Sequence, residues 1–157
     1  MTEGIPTDDG ELIRKVLTEV RIIAQLTDAE LRRSLAPALS VSEFKVLTHF
    51  VRLARSEEPG HLARAFQQAK SSMTATLAKL ERKGFISLDP DPDDKRKKKA
   101  MITPAGREAW WQGVQNTEPL SKDLAKGFDT DQLRAILPAL SALRAFMDEA
   151  RNERDGL

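Results

Sequence analysis

Five consecutive cationic side chains, Lys95 to Lys99, follow directly on Asp94 and form the densest charged cluster in the sequence. A strand with one buried face would not place five charges in a row, and like charges this close repel one another unless an opposite charge compensates them. A nucleic-acid phosphate backbone provides such a counter-charge. Arg96 suits a narrow, A·T-rich minor groove, and Asp94 is placed to hold its guanidinium by an intramolecular ion pair. The alternative is a solvated basic loop that only keeps the protein in solution.

A second candidate surface lies upstream, between Ser71 and Lys83. On a helical wheel, Met73, Leu77 and Leu80 share one side, as expected for a buried face. The opposite side carries Ser71, Ser72, Ala75, Ala78, Lys79 and Arg82, with Thr74 on its flank. Small hydroxyl-bearing and cationic side chains can enter a major groove about 12 Å wide and contact bases or phosphates. An ordinary solvent-exposed helix face is the alternative interpretation.

Apolar spacing and capping residues predict the elements that hold these surfaces. A long first helix reaches about Ser34, with an apolar stripe of Ile13, Val16, Leu17, Val20 and Ala24. A capping box at residues 40–43 starts a second helix, with a stripe of Phe44, Leu47, Phe50, Val51 and Ala54. A short helix follows the turn at 57–60 and buries Leu62, Ala63 and Phe66. Together with the segment that Gly84 ends, it forms a candidate helix-turn-helix.

The second half of the chain is predicted to contain a hairpin and two helices. Residues 85–88 and 100–103 form the strands, and the Asp- and Pro-rich residues 89–94 between them favour turns over regular pairing. Thr103 and Pro104 start a helix that Pro119 bends or splits. Residues 129–132 cap the last helix, with a kink expected at Pro138. Its stripe is Leu133, Ile136, Leu137, Leu140 and Met147.

Length and composition restrict the class of protein. The chain has 157 residues, of which 40% are hydrophobic and 31% charged, so we expect one folded domain. It has no cysteine, which excludes disulfides and thiolate metal sites. The formal net charge is +1, yet residues 61–107 contain 11 Lys or Arg against 5 Asp or Glu. The absence of an apolar run near 20 residues predicts a cytoplasmic protein that does not enter a membrane.

Several of these residues together resemble the signature of the MarR family. The matching positions are Leu62-Ala63, Ser71 to Thr74, Leu77, Leu80-Glu81, Gly84 to Ile86, Asp91 to Arg96 and Thr103 to Gly106. The similarity is close from about Ser40 to Gly106, and the outer helices agree in length and order. The resemblance implies a mainly α fold with a small β-hairpin, a winged helix-turn-helix with long N- and C-terminal dimerisation helices.

The resemblance also implies an organisation and a set of DNA contacts. We expect a single domain over residues 1–157, with dimerisation helices at 1–36 and 105–157 and a DNA-binding lobe at 40–104. The residues expected at the DNA are Lys70, Ser71, Ser72, Thr74, Ala75, Lys79, Arg82, Asp94, Lys95, Arg96 and Lys97. Ala75 departs from the long polar or basic residue usual there, so base reading should depend on shape and hydroxyls. The run Lys97 to Lys99 is more basic than usual, so affinity should depend strongly on salt.

The function that the resemblance implies is a homodimeric, sequence-specific transcriptional regulator on an inverted-repeat double-stranded DNA operator. We expect a repressor that a small aromatic or acidic effector releases. His49, Arg52, Trp110 and Trp111 are candidates to line the effector cleft, because tryptophan can stack and His or Arg can meet a carboxylate. The alternative for these four residues is ordinary packing.

Two other classes of function are alternatives to a regulator. An enzyme is not expected, because the chain has only two His, no glycine-rich phosphate loop and no metal-ligand cluster, and no cofactor or metal is expected. The remaining alternative is a helical dimer that does not bind DNA and whose basic hairpin, with Lys95 to Lys99, binds acidic protein partners.

Overall fold

The computed structural model describes residues 8–92 and 94–155, and within them are seven α-helices and one antiparallel two-stranded sheet. In chain order the elements are α1 (Asp9–Leu35), α2 (Val41–Leu53), α3 (Pro59–Ala65), α4 (Lys70–Arg82), β1 (Ile86–Pro90), β2 (Lys98–Ile102), α5 (Pro104–Asn116), α6 (Glu118–Gly127) and α7 (Thr130–Asp155). The predicted mainly α fold with one hairpin is confirmed.

The predicted helix starts and stops have the expected hydrogen bonds. Helix α2 begins with a capping box, in which the Ser40 hydroxyl accepts from the Glu43 N–H and the Glu43 carboxylate accepts from the Ser40 N–H. Thr103 caps α5 by accepting from the Gly106 N–H, with Pro104 in the first turn. Gly84, just after α4, has φ +72°, a left-handed conformation that glycine adopts without strain.

The core lies where the end of α1 meets α2, α3, α4 and the hairpin. Its largest fully buried side chains are Leu35, Val46, Leu47, Phe50, Leu62, Met73, Leu77 and Leu80. The hairpin contributes Ile86, Ala100 and Ile102. The predicted inward positions of α4 are therefore confirmed. In α2, Phe44 and Val51 are half-buried and Ala54 is exposed, because the helix ends at Leu53.

The hairpin strands extend further than the sequence predicts. Pairing runs from Ile86 opposite Ile102 to Pro90 opposite Lys98, so Asp89 and Pro90 are paired and do not belong to the turn. Pro90 is tolerated because it occupies the last position of a strand, where its missing N–H removes no hydrogen bond from the middle of the ladder. The first strand therefore ends at Pro90 and the second begins at Lys98.

The chain divides into two compact units, the first ending at Thr117 and the second covering residues 118–157. The boundary is the split that Pro119 predicts, because α5 ends at Asn116 and α6 begins at Glu118. In the second unit, α7 runs from Thr130 to Asp155 without interruption across Pro138.

Large apolar side chains remain exposed along α1 and α7. On α1 they are Leu12, Ile13, Val16, Val20, Ile22, Ile23 and Leu26. On α7 they are Leu133, Ile136, Leu137, Leu140, Phe146 and Met147. None of the described helices is both long enough and apolar enough to cross a membrane.

Candidate nucleic-acid interface

Helix α4 presents a polar face opposite its buried one. Met73, Leu77 and Leu80 are at most 1% exposed, so one side of the helix is fixed against the core. Each of the predicted contact residues of this helix is exposed: Lys70, Ser71, Ser72, Thr74, Ala75, Lys79 and Arg82. The structure therefore brings all seven onto solvent-facing positions of one helix.

The N-terminus of α4 has no side-chain cap. Its N-cap is Ala69, whose methyl group cannot accept a hydrogen bond from the first-turn N–H groups, and the first turn holds no acidic residue. The positive end of the helix dipole and these N–H groups are thus open to an external anion. Lys70, at the first helical position, adds a positive charge there.

The hairpin loop holds Arg96 in a defined position. Asp94 Oδ1 accepts hydrogen bonds from the Arg96 N–H and from the Arg96 Nε–H, both at 3.1 Å. The Arg96 side chain is 92% exposed. The side-chain and backbone hydrogen bonds from Arg96 hold the pKa of the Asp94 carboxyl below its ordinary value. The predicted ion pair is confirmed, and it leaves the Nη groups of Arg96 facing solvent.

Three of the five consecutive cations already have carboxylate partners within the chain. Arg96 pairs with Asp94, as described above. Lys97 Nζ lies 3.2 Å from Glu58 Oε1, and Lys99 Nζ lies 3.0 Å from Oδ2 of the buried Asp91. The pair of Arg96 with Asp94 is the predicted one, but the sequence argument that the other cations need an external counter-charge is wrong for Lys97 and Lys99. The other two cations, Lys95 and Lys98, have no ion-pair partner among residues 8–92 and 94–155.

The segment before α3 braces the hairpin, a role that local sequence does not reveal. Glu57 and Ala100 exchange backbone hydrogen bonds of 2.8 and 2.9 Å, so Glu57 forms a bridge beside β2. The Glu57 carboxylate is 8% exposed and lies 2.7 Å from Arg55 Nε. The sequence indicates only a turn at Glu57 and Glu58, because the residues that they contact are some 40 positions away.

A second long-range contact joins the end of α4 to α2. Lys83 Nζ lies 2.9 Å from the Glu43 carboxylate and also donates to the Ala38 carbonyl at 2.9 Å. Burial raises the pKa of Glu43, but hydrogen bonds from Lys83 and Ser40 outweigh it and hold that pKa below its ordinary value. The contact attaches the helix that carries the candidate DNA-facing residues to the start of α2.

The four candidate effector residues lie on α2 and α5, two helices that contact each other. Trp110 is half-buried, and its Nε1–H donates to the Thr48 hydroxyl at 3.1 Å; its ring lies 6.2 Å from that of the exposed Trp111. The His49 ring lies 5.4 Å from that of Phe66, and burial lowers the pKa of His49. Arg52 is exposed.

A cavity of about 570 Å³ lies elsewhere, where α1, α2 and α4 converge, and none of those four residues lines it. Arg32, Lys79, Arg82 and Lys83 give its wall a positive charge, and Leu39 and Pro37 are apolar wall residues.

The middle of the chain is similar in sequence to known proteins. Residues 39–98 match the sequence profile of the MarR family. The transcriptional activatory protein BadR of Rhodopseudomonas palustris is 29% identical over 77 residues, which are 48% of this chain and 44% of BadR. The match thus spans less than half the length of that relative.

Solved structures extend the similarity to most of the chain. Wild-type MarR from E. coli in its apo form aligns with a TM-score of 0.69 at 26% identity, covering 90% of this chain and 98% of that one. A mutant of MarR from E. coli complexed with operator DNA aligns with a TM-score of 0.67 at 24% identity, covering 87% and 99%. The chain therefore has the fold of the winged-helix regulators of this family. Members of the family are transcriptional regulators and not enzymes, in agreement with the prediction.

Proposed function

We propose, from the premise that the chain carries a MarR family domain, that it is a homodimeric, sequence-specific DNA-binding transcriptional regulator. We place it in the cytoplasm, with the DNA that it would bind. The domain organisation that we propose is the one expected from the sequence: a DNA-binding lobe at 40–104 between dimerisation helices at 1–36 and 105–157.

The observation that carries the proposal is the geometry of Arg96. Its guanidinium is almost fully exposed, yet Asp94 fixes it through Nε, so the side chain is held out from the protein surface at little further entropic cost. A fixed, protruding guanidinium suits insertion into a narrow minor groove, where the negative potential is concentrated. Helix α4, with its uncapped N-terminus and polar face, would occupy the adjacent major groove.

The exposed apolar faces of α1 and α7 support a homodimer. Large apolar side chains left exposed along a helix mark an interface, and a two-fold axis lets each such face pack against a second copy of the chain. Two copies related in this way would present two α4 helices to successive major grooves, about 34 to 36 Å apart. The operator would then be an inverted repeat.

Regulation would be repression that a small aromatic or acidic effector releases. Trp110, Trp111, His49 and Arg52 stay the proposed effector residues: the two tryptophans supply aromatic surface, and Arg52 supplies a cation for an acid. Measuring a promoter fusion with and without the regulator separates repression from activation.

The proposal is tested by selecting duplexes from a random pool with the purified chain and footprinting the selected site. Wild type should protect an inverted repeat, with binding that weakens as salt rises. Replacement of Arg96 by Ala should weaken binding by about tenfold to a hundredfold and leave the dimer mass unchanged, since one guanidinium contact is lost.

Arg14→Ala is the matched control, because Arg14 is an exposed arginine at the start of α1, outside the lobe. If Arg96→Ala binds like wild type, the assignment of the hairpin is wrong. If no duplex is selected at low salt, the alternative of a helical dimer that binds acidic protein partners takes its place.

A further inference from the structure

One line of exposed positions along α4 carries mostly short side chains. Opposite the buried Met73 and Leu77, a line of exposed residues runs along the helix at Ser71, Ala75, Ala78 and Arg82, spaced by four, three and four residues. At 1.5 Å per residue, the uncharged part of this line spans about 10 Å, roughly three base-pair steps. Over this distance no side chain on the line is longer than that of serine.

Few side chains of the same helix can read bases through paired hydrogen bonds. Residues 70–82 contain no Asn, Gln or Asp, and their one arginine is the last residue of the helix. Bidentate recognition of adenine by Asn or Gln is therefore excluded along α4, and paired hydrogen bonds to guanine could come only from Lys70, Lys79 and Arg82, none of which lies between Ser71 and Ala78 on this line. Serine and threonine hydroxyls can donate or accept, so they discriminate weakly between bases.

The methyl groups of Ala75 and Ala78 can read one feature of the major groove. Thymine alone among the four bases carries a methyl group at C5, and an alanine can bury it by van der Waals contact. Short neighbours allow the helix backbone to approach the groove floor closely enough for this contact. We infer, on the basis of the proposed function, that α4 recognises thymine methyl groups through Ala75 and Ala78, and that each operator half-site is built on A·T pairs.

The hairpin favours the same class of sequence through independent chemistry. Arg96 is fixed and exposed, and a guanidinium of this kind is attracted most strongly to the narrow minor groove of A·T-rich segments. The two elements therefore select A·T pairs from opposite grooves: α4 by the methyl group and Arg96 by groove width.

The test uses wild-type protein and a duplex that it has selected. Replacing the half-site thymines by deoxyuridine removes the C5 methyl group and keeps every base-pairing hydrogen bond. The affinity should fall about fourfold for each contacted methyl group, the ratio that corresponds to burying one methyl group. Deoxyuridine placed outside the half-sites is the matched control and should leave the affinity unchanged.

A second analogue tests the opposite mode of reading. Replacing the half-site guanines by 7-deazaguanine removes the N7 acceptor, and this should change the affinity less than twofold. Tolerance of deoxyuridine in the half-sites, or a large loss with 7-deazaguanine, would overturn the inference while the regulator assignment stands. Failure to select any duplex would instead overturn the proposed function, and the inference with it.

The protein side of the contact is tested with Ala75→Gly, which removes the methyl group. In this variant the penalty for deoxyuridine at one position of each half-site should disappear. Glycine destabilises a helix interior relative to alanine, so thermal unfolding is measured in parallel. A full deoxyuridine penalty at every position in a folded Ala75→Gly variant would show that Ala75 does not make the contact.

Discussion

Glu43 shows how one buried carboxylate can hold two distant parts of the chain together. It accepts from the Ser40 N–H as half of a capping box and pairs with Lys83 at the end of α4. The first contact is predictable, because Ser and Glu three residues apart before an apolar run signal a helix start. The second is not, since Lys83 is 40 residues away and nothing local marks it.

We predict that Glu43→Gln lowers the free energy of unfolding by about 1 to 3 kcal/mol at pH 7, because an amide keeps the cap but loses the charged partner of Lys83. The pKa of Glu43 is lowered in the folded state, so its contribution is complete above the ordinary value of 4.5 and is lost as the pH falls through the lowered pKa. Urea unfolding of both proteins from pH 7 down to pH 3 should therefore show two curves that converge in acid. A constant difference at every pH would contradict the assignment of the charge.

Of the ion pairs at the hairpin, one can likewise be predicted from the sequence and another cannot. Asp94 and Arg96 are two residues apart, and their pairing is predicted. Lys97 and Glu58 are 39 residues apart, and the sequence leaves Lys97 without a partner. Pairs close in sequence follow from local geometry, whereas pairs between elements require the tertiary packing.

Among the elements, α5 packs closely against the start of the hairpin because the residue at the contact is Gly106. A Cβ atom at Gly106 would lie 1.9 Å from the backbone carbonyl oxygen of Phe85, which cannot move without shifting the start of β1. The Thr103 hydroxyl donates to the Gly84 carbonyl at 2.7 Å and fixes the same junction.

We predict that Gly106→Ala lowers the free energy of unfolding by about 3 kcal/mol or more, because the clash is with backbone. Gly60→Ala is the matched control: Gly60 lies in α3 with open space around its Cα, so the same change should be neutral or stabilise the chain by up to about 1 kcal/mol. Thermal or urea unfolding compares the two. Equal effects would show that the approach of α5 to the hairpin is looser than the structure indicates.

Helix ends are predictable to within about a residue wherever a cap or glycine marks them, as at Ser40, Thr103 and Gly84. The strand ends are not predictable in this way, because Asp89 and Pro90 are typical turn residues and yet pair with Lys99 and Lys98. A bridge from Glu57 to Ala100 and the pair between Asp91 and Lys99 extend the ordered part of the hairpin. These are tertiary contacts that strand propensity does not include.

For the whole molecule, the exposed apolar side chains of α7 provide the sharpest test of the proposed dimer. We predict that Leu140→Asp dissociates the proposed dimer and abolishes operator binding together, because a charge would be buried in an apolar interface without a partner. Analytical ultracentrifugation and a gel shift on the selected operator measure the two effects.

Ser141→Asp is the control, because it adds the same charge at the next exposed position, about 100° around the helix from Leu140. It should leave both mass and DNA binding intact. A Leu140→Asp variant that sediments as a tight dimer would remove this part of α7 from the interface.

The electropositive third of the chain and the apolar stripes of α1 and α7 are both visible in the sequence. Whether a stripe is covered within one chain or by another copy cannot be derived from periodicity, since both cases give the same spacing. The single-chain structure shows that Ile13 and Leu137 stay more than half exposed, at 56% and 62%.

The paired tryptophans of α5 give the molecule a built-in optical probe. The chain contains two Trp and no Tyr, so near-ultraviolet emission excited above 295 nm originates from this one helix. Trp110 donates a hydrogen bond to Thr48 of α2, while Trp111 is half exposed, so the two fluorophores lie in different environments. Entry of the proposed effector between α2 and α5 should therefore change the tryptophan emission of the unlabelled protein.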